Sequence, residues 1–226
     1  TSLQRTSVTS SPHGWRAGAA DSGRAMSDSL VEAVAGAYRA PRAAVARELG
    51  RGVSEARSLF YLMLASAVFF VASMPNAVRE SQRLDVDDAL QAAISAHLFG
   101  YLAIAPLLAY AFAALVHFVA RAFGGAAHFG ATRLAVFWAM LLGAPIALAL
   151  SLLGMFAEIA AGPRRLPWLE LVGYAGLVFW LWLFAASIAE AEGFASTGRV
   201  AAVVVGAFAA VAGLLAVLAG GPGMAG

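Results

Sequence analysis

The chain has 226 residues, of which 61% are hydrophobic and 12% charged, with a formal net charge of +2. Soluble domains run at roughly 45–50% and about 25%, so a water-facing fold of this size could not hide so much apolar surface, and lipid must act as part of the solvent. The near-neutral balance leaves no electrostatic footprint for nucleic acid, and the absence of Cys excludes disulfides, thiol catalysis and thiolate metal sites. All 15 basic residues are Arg, which reads as the composition of a GC-rich genome.

Residues 1–25 are rich in Ser, Thr, Gly and Arg and lack both apolar periodicity and the apolar run of a secretory signal. They read as an unstructured tail or an over-extended reading frame, with Met26 as the natural start. Residues 26–57 form a short helical segment on the cytoplasmic side. Ser29 and Glu32 have capping-box spacing, and Leu30, Val34 and Tyr38 follow on one face. Pro41 suits the first turn of a second helix that buries Val45 and Leu49 and stops near Gly50. Arg39, Arg42, Arg47 and Arg51 make this segment either a solvated arm or an interfacial amphipathic element meeting lipid headgroups.

Residues 58–220 contain five apolar stretches, followed by a tail over 221–226. The stretches run from Ser58 to Met74, ending at Pro75, then Ile94 to Ala120, Leu134 to Ala157, Leu169 to Ala189, and Val200 to Ala219. Each is near the roughly 20 residues that cross a hydrocarbon core of about 30 Å as a helix. The expected fold is therefore all-α, a polytopic bundle of five transmembrane helices; a re-entrant third stretch would reduce the crossings to four. Arg39, Arg42, Arg47, Arg51, Arg57, Arg121, Arg133 and Arg199 flank one side, against Arg79, Arg83, Arg164 and Arg165 on the other. That asymmetry predicts a cytoplasmic N-terminus and a C-terminus across the membrane. Trp168 reads as an interfacial anchor, and Trp180 and Trp182 as deeper packing residues.

No ionisable residue lies near the centre of any stretch, around Ser66, Leu107, Pro145, Phe179 or Ala210, which lowers the case for an ion-coupled pathway. His97 and His117 are 20 residues apart, about 30 Å along a helix at 1.5 Å per residue, and cannot share a metal; packed or interfacial roles are expected. No catalytic or cofactor motif is visible. Gly124 and Gly125 lack the Lys and strand of a phosphate cradle and predict a tight interhelical turn. Pro106 and Pro145 each remove a helical hydrogen bond and predict kinks. In the fifth stretch Ala202, Gly206 and Ala210 form a small-residue face for close helix approach, within the chain or between copies.

Together these features resemble the Yip1 family, in particular its bacterial branch. The resemblance is carried by Ala37-Tyr38-Arg39-Ala40-Pro41-Arg42, by Glu55 to Met63 entering the first stretch, and by Phe70 to Pro75 leaving it. Pro106 to Tyr110, Ala120 to Gly125 and Thr132 to Trp138 extend it, in order, over about residues 30–215. It implies five spans with a cytoplasmic N-terminal segment and a non-catalytic membrane scaffold, adaptor or bilayer-organising protein of a bacterial inner membrane, without cofactor. Eukaryotic relatives serve vesicle traffic with prenylated Rab-type GTPases; bacteria lack that traffic, so no GTPase role passes to these residues. Expected partners are membrane lipids and membrane proteins meeting the Arg-rich segment, Arg121, Arg133 and Arg199. The competing reading is a small transporter or channel using a cavity beside Pro106 and Pro145.

Overall fold

The computed structural model describes residues 30–162 and 166–219. The tail over 1–25, Met26, the Ser29 cap, Arg164, Arg165, the tail over 221–226 and the Ala210 side chain lie outside the described residues. Among those described, regular structure is helical throughout. Helix α1 covers 30–39, followed by α2 (Pro41–Gly50), α3 (Glu55–Ser81), α4 (Ala89–Phe99), a π-helical turn (Gly100–Ile104) and α5 (Ala105–Ala122). Then come α6 (Phe129–Ala161), α7 (Pro167–Glu192) and α8 (Thr197–Ala219). Four helices are long and apolar enough to cross a bilayer, namely α3, the continuous Ala89–Ala122 helix, α6 and α7. Helix α8 has 23 residues and is apolar over Thr197–Ala207.

Helix α6 is the axis. From Leu134 to Ala144 its side chains are buried apart from Met140, which is partly so, and α3 and α7 pack along its two flanks. Trp138 lies at its centre against Tyr61 of α3, ring centroids 5.1 Å apart. On the other flank Gly143 receives Trp180 of α7: a Cβ there would stand 2.5 Å from the indole, and the indole N–H donates to the Ala139 carbonyl at 3.0 Å. Trp182, by contrast, is exposed. A residue two positions along a helix turns about 200° away, so the deep-packing role belongs to Trp180 alone.

Pro75 does not end the first span; α3 continues through it to Ser81. The ring removes the partner of the Val71 carbonyl. The flanking carbonyls are secured by hydroxyls, Ser73 donating to Phe70 at 2.7 Å and Ser151 of α6 donating to Ala72 at 2.6 Å. Ser side chains restore backbone bonding in this way where water is absent. Pro106 stands mid-way along the Ala89–Ala122 helix, as expected, where the regular α-helical bonding is interrupted. It is buried in the first turn of α5, immediately after the π turn, which widens the helix where the proline would otherwise disturb it. Pro145 is interior to α6, which runs without reversal for 33 residues, about 50 Å at 1.5 Å per residue; no re-entrant turn is present.

The N-terminal segment is not a free arm: one face is packed on the bundle, and the other leaves Arg39 and Arg47 exposed. Helices α1 and α2 pack onto α6 and α7, burying Ala37, Ala44 and Val45. The Tyr38 hydroxyl donates to the Leu142 carbonyl at 2.7 Å, within the turn that Pro145 opens. Pro41 occupies the first turn of α2, as expected.

Burial raises the Tyr38 hydroxyl above its ordinary value of 10.0. A raised folded-state value favours the neutral, donating form. The Tyr38–Leu142 bond thus contributes fully below about pH 10 and is lost as pH climbs through the raised value. Tyr38→Phe should cost about 1 kcal/mol at pH 8 and flatten the alkaline decline of thermal stability, measured by circular dichroism in detergent.

Candidate functional site

Charged and polar side chains concentrate at the end of the bundle where α3, α6 and α8 begin and α5 and α7 finish. Helix α7 stops at Gly193, in the left-handed conformation at φ 75°, and the Phe194 N–H closes onto the Ala189 carbonyl at 2.8 Å. The next carbonyls have no helical donor, and Arg42 supplies one. Its guanidinium donates to the Phe194 carbonyl at 3.0 Å, the Ala195 carbonyl at 3.3 Å and Glu190 Oε2 at 2.8 Å. A cation at a helix C-terminus also meets the negative end of the helix dipole. Arg42 is therefore a clasp between α2 and α7.

Beside it, Glu48 of α2 is 3% exposed. A carboxylate at that burial needs donors, and Arg51 Nη1 and Tyr61 Oη reach its two oxygens at 2.7 Å each. The Arg57 guanidinium donates to the Glu48 carbonyl at 3.1 Å. One turn away, Arg133 of α6 pairs with Glu55 at the start of α3, and the same carboxylate accepts from the Tyr110 hydroxyl at 2.5 Å. The Arg133 guanidinium also sits 5.7 Å from the Tyr110 ring centroid and 5.6 Å from that of Phe129, within cation–π range.

The deepest member is Glu192, 2% exposed at the last turn of α7. Its carboxylate accepts from the Thr132 hydroxyl and, at 3.2 Å, from the Ala127 N–H. His117 Nδ1 lies 2.9 Å from Thr132 Oγ1 and 3.4 Å from Glu192 Oε1. With the Thr132 proton committed to Glu192, His117 donates from Nδ1. Four segments thus meet on one carboxylate: α5, the α5–α6 turn, α6 and α7. The turn fits only because of its glycines. Gly124 adopts φ 89°, and a Cβ on Gly125 would stand 2.6 Å from Glu192 Oε2 and 2.9 Å from the Ala120 carbonyl oxygen.

The trio of hydroxyl, imidazole and carboxylate is not arranged as a nucleophile with its base. A relay needs the hydroxyl and the acid on opposite ring nitrogens, whereas here both face Nδ1, and Thr132 is fully buried. No group of three or more His, Asp or Glu suited to a metal occurs among the described residues. His97, at the other end, is hydrogen-bonded to Ser73 at 3.0 Å and Glu80 at 3.1 Å.

The residues singled out by sequence thus separate. Arg42, Arg133, Gly124 and Gly125 belong to this polar end and hold it together. Arg39 and Arg121 are exposed on its rim. Ala202 and Gly206 are exposed on α8. Pro106 is buried and Pro145 is exposed. A groove of about 280 Å³ opens near Pro145, between Phe69, Gly143, Ile146, Leu150, Gly176 and neighbouring residues, and neither proline lines it. Sequence reasoning passed over Glu48, Glu192, Tyr61 and Thr132 as site residues; the bonds that join them across helices span 13 to 75 residues.

The sequence pattern of the Yip1 domain matches residues 35–219. No curated protein and no solved structure matches the chain.

Gly125→Ala and Glu192→Ala should each lower stability by about 2–3 kcal/mol, one by overpacking and one by stranding buried donors. Glu192→Gln, which retains the shape and one acceptor, should cost less. Thermal unfolding in detergent reads the order; an unchanged midpoint for Gly125→Ala contradicts the packing described.

Proposed function

The chain belongs to the Yip1 domain family, and on that premise we propose that this integral membrane protein is a non-catalytic scaffold or adaptor of a bacterial inner membrane. The observation that carries the reading is the fixed N-terminal platform. Helices α1 and α2 are fastened to the bundle by Tyr38, Arg42 and Glu48. They leave Arg39 and Arg47 exposed, and Arg121 at the end of α5 is exposed as well. Arg42 and Arg51 are paired internally, so these three form the basic surface offered to an acidic partner protein.

Helix α8 serves as the fifth crossing in this reading, supported by its 23 residues against the roughly 20 that a bilayer needs. Five crossings with the Arg asymmetry place the N-terminus in the cytoplasm and the C-terminus outside. The groove near Pro145 is lined by apolar side chains and glycines, which offer a solute no side-chain charge, and this weighs for the scaffold over the transporter.

Two measurements test the proposal. A reporter active only outside the cytoplasm should give signal when fused after residue 226 and none when fused ahead of α1; cytoplasmic signal at the C-terminus removes the fifth crossing. Affinity purification in mild detergent should lose its co-purifying membrane proteins when Arg39, Arg47 and Arg121 are changed together to Gln, with thermal stability unchanged. An identical partner set in that variant argues against the basic surface.

A further inference from the structure

We propose that the groove between α5, α7 and α8 holds one acyl chain of an anionic phospholipid, with the lipid phosphate at Arg199. The groove has a volume of about 330 Å³. Its walls are apolar over most of their length, formed by Phe112 and Val116 of α5, Phe184 and Ile188 of α7, and Val200 and Val204 of α8. Along α5 it extends from Phe112 to Phe123, about 16 Å at 1.5 Å per residue. That is half of a hydrocarbon core of about 30 Å, the depth of a single leaflet.

Chemistry changes at one end only. Ser196 and Arg199 stand at the end formed by the α7–α8 connection, and Arg199 is the one charged residue on the wall. Its side chain is exposed and has no carboxylate partner among the described residues. Every other wall residue is uncharged, and the Glu190 carboxylate behind the wall is paired with Arg42. The nearby Arg42 guanidinium is already committed to Glu190 and to the Phe194 and Ala195 carbonyls, leaving Arg199 as the available donor. A guanidinium matches phosphate in a forked geometry. An apolar channel one leaflet deep, capped by a single Arg at headgroup level, thus fits a chain and its phosphate together. The groove near Pro145 has no charged wall residue and offers no such selection.

The site rests on α8 lying within the bilayer, as proposed above, and the C-terminal reporter reads that separately. Lipid retention by the full chain in mild detergent, followed by native mass spectrometry with phosphatidylglycerol or phosphatidylcholine, tests the site. The wild type should keep one phosphatidylglycerol in preference to phosphatidylcholine. Arg199→Gln should lower phosphatidylglycerol retention about fivefold, as for one basic contact at a membrane surface, while leaving phosphatidylcholine unmoved; Arg199→Lys should restore most of it. Val204→Trp, which fills the chain path, should lower both. Should that variant fail to fold, the Gln and Lys pair at the exposed Arg199 decides alone. Equal retention of the two lipids, retention unmoved by Arg199→Gln, or a lipid-free dimer overturns the assignment. If the C-terminal reporter still gives signal outside, that failure falls on the groove and not on the five crossings.

Discussion

Apolar helices gain little from leaving lipid for one another, since acyl chains are as apolar as Leu. This bundle therefore depends on the close fit around α6 and on polar bonds that have no water to compete with them. Trp180 against Gly143 is the clearest case of fit, because the indole occupies the space a Cβ would take and bonds the backbone it covers. Once α3 and α7 are seated on α6, the remaining helices have limited freedom. The platform of α1 and α2 settles where α6 and α7 expose carbonyls and Glu190, and α5 is tied back by its turn.

The polar end follows the same constraint. Carboxylates survive at Glu48 and Glu192 because each collects donors from more than one helix. Such a group resists removal of one partner more than a surface pair would, since a stranded buried charge costs several kcal/mol. By contrast the Arg79–Glu158 pair at the far end, half exposed on both sides, contributes little. The two ends of the molecule are thus built differently. One is a cross-braced cap, and the other is a set of helix ends joined by surface contacts.

Much of this was legible in the sequence, and what escaped has a common cause. The apolar stretches, the break at Pro41 and the glycine turn at Gly124 and Gly125 are local signals, read from neighbours along the chain. Span ends were placed too short because Pro75 looked like a terminus, and the serine that secures the Ala72 carbonyl, Ser151, lies 79 residues away. Arg42 looked solvent-facing for the same reason: its carboxylate is 148 residues distant. Glu192 sits two residues beyond Glu190 at a span end, and no spacing rule distinguishes the fully buried one from its half-buried neighbour. Periodicity reports which face is apolar; it does not report which distant backbone lacks a donor.

The Arg42 clasp has a consequence for biogenesis. Its acceptors belong to the end of α7 and the residues just after it, whereas Arg42 itself lies ahead of α3 to α6 in the chain. Glu48 has its partner Tyr61 on α3 and Tyr38 its acceptor on α6, both ahead of α7 in the chain, so of these three links the Arg42 clasp is the one that must wait for α7. An early helix is thus locked by a late one, and the loop that receives Arg42 also leads into α8. Closure of the cap and the start of α8 therefore depend on the same two residues, Phe194 and Ala195.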